Sequence, residues 1–213
     1  MNPEILSLVR QHFPAIVEKN LQEEIATVSQ LLHFEGGQML MNFGAYIKIV
    51  PLVISGSIKV VREDDKGTGE LFLYYLNGGE TCSMSFSCCM MNKKSVIRTT
   101  TEEATVLIGI PIKDVDAWMM QYQSWKNFVM LSYDKRQEAL IRTIDEIAFL
   151  SMDERLLNYL RKKATSTQSN TLLVTHQHIA YDLNASREAV SRLLKKLEKT
   201  GKLRLGRNKI KLL

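Results

Sequence analysis

The last forty residues constrain this chain most. "THQHIAYDLNASREAVSRLLKKLEKTGKLRL" reads as a helix, a tight turn and a second helix, each with its own start signal. Thr175 caps the first helix, and small Ala180 at its middle lets another helix cross closely. "LNA" makes the turn, where Asn184 is one of the few residues other than glycine that accepts positive φ. Ser186 caps the second helix and Gly201 ends it. Ala189, Val190, Leu193, Leu194 and Leu197 fall on one face of that helix and form its buried stripe. The basic and apolar alternation of "KLRLGRNKIKLL", around a Gly206–Asn208 turn, predicts a two-stranded wing.

Arg187, Glu188, Ser191 and Arg192 lie on the opposite face, within the first turns. Major-groove reading needs that placement, because a recognition helix presents its N-terminal side chains to base edges. An arginine fork bonds guanine O6 and N7 together, and a carboxylate accepts from cytosine N4 or steadies an arginine. Lys195, Lys196 and Lys199 follow further along as phosphate contacts, with Thr175, His176 and Ser186 at the helix starts. Charge supports a polyanionic partner. Residues 151–213 hold 14 Lys and Arg against 5 Asp and Glu, a net of +9. The remaining 14 basic and 18 acidic residues give −4, so the overall +5 hides a strong asymmetry.

Upstream the pattern is different. Asn2, Pro3 and Glu4 open a helix, and helical spacing continues to about Leu32. To about residue 110 the chain then breaks into short β-prone runs: "PLVISGSIKVVRE" around Gly56, "LFLYYLNGG", and "TEEATVLIGIP" ending at Pro111, with "DDKGTGE" as a hairpin turn. Strands at this spacing predict a small antiparallel barrel or roll. A long helical stretch, Ile112 to Leu150, carries Tyr133, Leu140, Ile144 and Ile147 as an apolar stripe that packs on the roll, on a twin helix, or on both. Ser151 caps a further helix with Asp153 and Glu154 in its first turn.

The C-terminal stretch quoted above resembles the DNA-binding module of the CRP/FNR family of bacterial transcription regulators, and "IAFLSMDERLLNYL" is similar to that family's hinge. The resemblance implies an α+β architecture: an N-terminal antiparallel β-roll of the cyclic-nucleotide-binding, jelly-roll type (1–111), a long dimerisation helix and hinge (112–150), and a winged helix-turn-helix (151–213). It implies a homodimer on a roughly palindromic operator, with RNA polymerase as a further partner. Arg187, Glu188 and Arg192 would contact bases, with Ser191 at a position one branch also uses. Both sets are present, so the half-sites of the two main branches stay equally open.

The family's cyclic AMP binders carry a Gly-Glu pair and, about ten residues later, an Arg-Ser pair. Here Ser83–Met84 and Lys94–Ser95 stand at those places, and Leu140 and Ile141 replace the polar residues that meet adenine. Methionine accepts no useful hydrogen bond, and lysine lacks the planar fork that matches phosphate oxygens. The expectation is that cyclic AMP is not the effector. A different small molecule would reach Met84, Lys94, Ser95, Arg98, Leu140 and Ile141, and no cofactor or metal is assigned. A second input is thiol redox chemistry at Cys82, Cys88 and Cys89, with a thiolate activated by Lys93 and Lys94.

Two other classes compete: a protein-binding winged helix, and a cysteine-dependent enzyme, which would need a basic histidine where the roll offers His33 alone. Glu4 and Arg10 interrupt any secretory signal, and no run approaches the ~18 apolar residues that cross a bilayer. Three cysteines make no disulfide framework. A cytoplasmic protein is the expectation.

Overall fold

The computed structural model describes residues 1–63 and 70–213; the side chain of Cys89 and the turn expected at "DDKGTGE" lie outside the described residues. The chain divides into two compact units, Met1–Val60 with Tyr75–Ala139, and Val61–Tyr74 with Leu140–Leu213.

The first unit opens with α1 (Pro3–His12) and α2 (Lys19–Val28). The Asn2 side chain accepts from the backbone N–H of Glu4 (2.9 Å) and of Ile5 (3.4 Å), as its capping role requires. Strands β1 (Gln30–Phe34), β2 (Met39–Met41), β3 (Ile49–Ser55), β4 (Ser57–Glu63) and β5 (Glu70–Asn77) follow. A short helix, α3 (Ser83–Met90), precedes β6 (Arg98–Thr101) and β7 (Thr105–Pro111). The strands form two sheets, ordered β1-β7-β3 and β2-β6-β4-β5. In the first, both pairs are antiparallel, with Leu32 opposite Leu107 and Leu52 opposite Ile108. Gly56 turns β3 directly into β4 at φ +85, and a Cβ there would stand 2.4 Å from the Thr105 hydroxyl and 2.6 Å from the Ala104 carbonyl. Only glycine satisfies both demands.

Two helices follow the strands. The long helical stretch expected from residue 112 is broken: α4 spans Ile112–Gln121 and α5 spans Gln123–Phe149, with Tyr122 extended between them at φ −121, ψ 116. The break has partners that hold it. Glu24 accepts from the Trp118 indole and from the Tyr122 hydroxyl, each at 2.6 Å, and Glu18 accepts from the Ser124 backbone N–H at the start of α5 (3.0 Å) and from the Ser124 hydroxyl. Beneath lies an aromatic core in which Trp125 meets Phe86 at 5.8 Å and Trp118 at 5.3 Å, both edge to face. The stripe on α5 divides. Tyr133 packs against this core and shares a 2.7 Å hydrogen bond with Ser87 of α3, whereas Leu140, Ile144 and Ile147 stand 38 %, 63 % and 46 % exposed.

In the second unit Ser151 caps α6 (Met152–Ser166), and Glu154 returns a bond to the Ser151 N–H at 2.9 Å. Then come β8 (Thr171–Leu172), α7 (His176–Asp182), α8 (Arg187–Lys199), β9 (Leu203–Gly206) and β10 (Lys209–Leu212). The three strands make an antiparallel sheet, β8-β10-β9. Leu156, Leu160, Ile179, Val190, Leu194, Leu203 and Ile210 are all buried, so α6, α7, α8 and the small sheet share one core.

Candidate nucleic-acid interface

The turn between α7 and α8 forms as the residues dictate. Asn184 adopts φ 49, and the Ala185 N–H bonds the Ala180 carbonyl at 2.8 Å. Ala180 is buried at the helix crossing, where a larger side chain would separate the pair. Thr175 accepts from the His178 N–H (3.1 Å) and Ser186 from the Ala189 N–H (3.1 Å). Each cap contributes about 1 kcal/mol, and the three inward residues Val190, Leu194 and Leu197 about 1.5–3 kcal/mol apiece. Beneath α7, Asp182 is fully buried; it accepts from the Tyr159 hydroxyl of α6 at 2.5 Å and lies 3.6 Å from the His178 ring. A buried carboxylate with such partners fixes α7 on α6.

The outward face of α8 gathers the charged residues. Arg187, Glu188, Arg192, Lys195 and Lys199 are exposed. An open groove of about 620 Å³ runs along this face, lined by Glu188, Ser191, Arg192, Lys195, Lys196 and Lys199. Ser191, His176 and Lys196, three of the expected contacts, are engaged already. Ser191 is half-buried and shares a 2.9 Å hydrogen bond with His176 Nδ1, which ties the start of α7 to the middle of α8. Lys196 forms a 2.9 Å ion pair with Asp153 at the first turn of α6. The Ser151 hydroxyl, and then Lys196, hold the Asp153 carboxyl down at about 2. Burial lowers the His176 pKa, and the positive charges of Arg187 and Lys195 lower it further.

The sequence reading of single residues passed over the wing. In the antiparallel register Arg204 stands opposite Lys211 and Gly206 opposite Lys209, so three exposed cations share one face of the sheet. Like charges placed directly opposite destabilise a free sheet, and a polyanion removes that cost. The period-two alternation of the tail was the signal that could have named them. The Glu198 side chain accepts from the Leu205 N–H at 2.7 Å and so anchors the wing to α8.

Residues 154–213 match the Crp-like helix-turn-helix domain family. A crp/fnr-family transcriptional regulator from Eubacterium rectale has the same fold at 25 % identity, over 95 % of this chain and 94 % of that chain, with a TM-score of 0.83. The chain has the fold of CRP/FNR-type transcription regulators and carries their helix-turn-helix DNA-binding domain in residues 154–213. Two further solved structures share the fold at lower identity. The c-di-GMP responsive global regulator CLP of Xanthomonas campestris is 21 % identical, covering 92 % of this chain and 99 % of its own, at a TM-score of 0.76. A CRP/FNR-family regulator from Thermus thermophilus is 16 % identical, covering 86 % and 93 %, at 0.72. No curated protein sequence matches the chain. No helix among the described residues is long and apolar enough to cross a membrane.

The regulator's roll encloses a cavity of about 310 Å³. Phe34, Pro51 and Leu107 of one sheet face Leu40, Ile58, Leu76 and Thr99 of the other across it, and Cys82 and Ser85 close one side. Met84, Lys94, Ser95 and Arg98, expected to reach an effector, do not line this cavity. Two local periods account for the difference. On β6, alternation turns Thr99 inward and leaves Arg98 half-buried; at α3, Cys82 and Ser85 face the cavity, while Met84 is turned from it. Ser95 is buried, and its hydroxyl donates to the Ile97 carbonyl at 2.8 Å. Lys94 is exposed, 5.8 Å above the Tyr46 ring. Leu140 and Ile141 are exposed on α5.

At Cys88 the balance runs against the expected thiolate activation. Cys82 and Cys88 are buried free thiols. Burial pushes the Cys88 thiol up, and a charge on Cys82 would push it further; Lys93 opposes both more weakly. An activated thiolate needs the reverse balance, so desolvation outweighs the neighbouring lysine.

Proposed function

We propose that this regulator binds DNA as a homodimer and reads operator bases in the major groove with the first turns of α8. The carrying observation is the two-faced character of that helix. Val190, Leu194 and Leu197 lock one face into the core, so the capped N-terminus presents Arg187, Glu188 and Arg192 outward on a rigid element. Lys195, Lys199 and the wing cations meet phosphates alongside, with Lys196 exchanging Asp153 for a phosphate. His176 positions Ser191 from behind, and the caps formed by Thr175 and Ser186 leave their backbone at the protein surface.

The exposed residues Leu140, Ile141, Ile144 and Ile147 on α5 supply the dimer seam. Their spacing is that of a helix paired with its twin, and two readers so joined call for a roughly palindromic operator. In this reading residues 1–111 are the effector domain, 112–150 the dimerisation helix and hinge, and 151–213 the reader. The protein works in the cytoplasm, where RNA polymerase is a further partner, and it carries out no catalysis. Selection of a preferred site from random duplexes, followed by titration at several salt concentrations, tests the proposal. Affinity should fall steeply with salt, and Arg187→Ala should relax the preference. Equal binding of wild type and variant to selected and random duplexes would remove Arg187 from the base-reading set.

A further inference from the structure

We propose that the cavity of the roll takes an amphipathic monocarboxylate, an apolar body inside with its acid at the rim, instead of a cyclic nucleotide. The inference deepens the effector-domain reading and rests on it. At about 310 Å³ the cavity is at the small end of the ~300–1,000 Å³ range in which small-molecule sites fall. Its depth is hydrocarbon, with Phe34, Ile58, Leu76 and Leu107 meeting from the two sheets. A ribose and a base would leave their polar edges unpaired against such walls. Two hydroxyls stand in the wall, those of Ser85 and Thr99, and among the described residues neither has a hydrogen-bond partner.

The rim is different in kind. It is built by the segment between β2 and β3, where Asn42, Tyr46 and Lys48 are exposed. Lys48 is the single charged residue among the described lining, and no described acid pairs with it. Lys94 bridges to Tyr46 in antiparallel fashion and places a second cation at the same edge. No guanidinium lines the site, so nothing there offers the planar double donor that suits a phosphodiester. A lysine point charge with flanking amide and phenol groups suits one carboxylate.

The test uses the full chain and three probes: decanoate, decan-1-ol and cyclic AMP, titrated by calorimetry. Decanoate should bind saturably, once per chain, with decan-1-ol weaker by roughly five-fold, the scale of one exposed charge pair. Lys48→Gln, a rim change outside the core, should reduce decanoate to the affinity of the alcohol. Leu107→Trp should abolish binding by filling the cavity; should that variant not fold, Thr99→Ile narrows the same space with a strand-compatible residue. Nuclear Overhauser contacts from the decanoate chain should reach Leu76 and Leu107. The proposal is overturned if neither decanoate nor decan-1-ol binds, if Lys48→Gln leaves decanoate affinity unchanged, or if cyclic AMP displaces decanoate. Operator binding measured on the same samples separates the readings: a regulator that still grips DNA but ignores decanoate loses this inference alone, whereas a chain that binds neither loses the DNA reading too.

Discussion

The roll and the reader use the same ingredients in opposite arrangements. In the roll, two sheets turn apolar faces toward each other without filling the space between them, and the polar groups that remain are few and at the margin. In the reader, the core is filled by Leu156, Leu160, Val190, Leu194 and Leu203, and the cations stand outside on α8 and the wing. In the proposed reading the first arrangement takes a small ligand by excluding water. The second selects a polyanion by remaining in water, where charge is felt at a distance and side chains can reach a groove. The physical difference between the two is where the unfilled space lies: the roll holds a cavity of about 310 Å³ between its sheets, and the groove of the reader lies outside, along the charged face of α8.

Filling matters most where it is complete, so the sharpest way to break the contrast is to empty the reader. Leu194→Ala should cost about 2–5 kcal/mol of stability, the loss expected for a fully buried leucine, visible in thermal unfolding followed by circular dichroism. A cost near zero would mean that the core of α8 is as loosely filled as the roll.

Next in size is recognition itself. Arg187→Ala should remove about 1–3 kcal/mol of discrimination for the preferred operator while leaving random-sequence binding nearly intact. By contrast Lys196→Ala should weaken every duplex alike and make the salt slope shallower by about one unit. Its ion pair with Asp153 adds a finer check. Asp153→Asn frees the amine, so general affinity should rise slightly in low-salt filter binding. Acid should do the same to the pair. The Asp153 carboxyl lies at about 2 in the folded chain against an ordinary 3.8, so its contribution to stability is complete above 3.8 and declines as pH falls from there through 2.

The smallest effect concerns His176. Its pKa lies below the ordinary 6.5, through burial and then the charges of Arg187 and Lys195, so the neutral ring is the form favoured in the fold. The stabilisation that comes from keeping it neutral is lost as pH falls below 6.5 toward the folded value. Nuclear magnetic resonance titration of the ring should show an upward shift in Arg187→Ala and, more strongly, on binding DNA, whose phosphates reverse the local field. A midpoint indifferent to both would take His176 away from the interface.

How much could be read in advance follows the same contrast. Residues 175–212 declare themselves because their signals are local: Thr175 and Ser186 cap within three residues, Asn184 turns alone, and the stripe from Val190 to Leu197 repeats with the helix. The strands on either side of Gly56 and those at 70–77 and 105–111 are legible for that reason too, through glycine punctuation and apolar period, whereas β1 begins at Gln30 inside the stretch expected to be helical to Leu32, and β2 and β6 carry no comparable signal. Other outcomes required partners distant in sequence. Glu18 and Glu24 hold the break at Tyr122 from about 100 residues away, and no pattern near residue 122 announces it. The short α3 helix, which puts Ser85 and not Met84 in the cavity wall, packs on β3 and α4, both distant in sequence. Whether Lys196 is free or paired depends on where α6 sets Asp153, 43 residues earlier. Sequence by itself thus determined the two helices of residues 176–199, their caps and the charged face of α8, since each is a matter of neighbours along the chain. Tertiary structure alone decided which side chains see the cavity and which charges are already paired, because those depend on groups that only folding brings together.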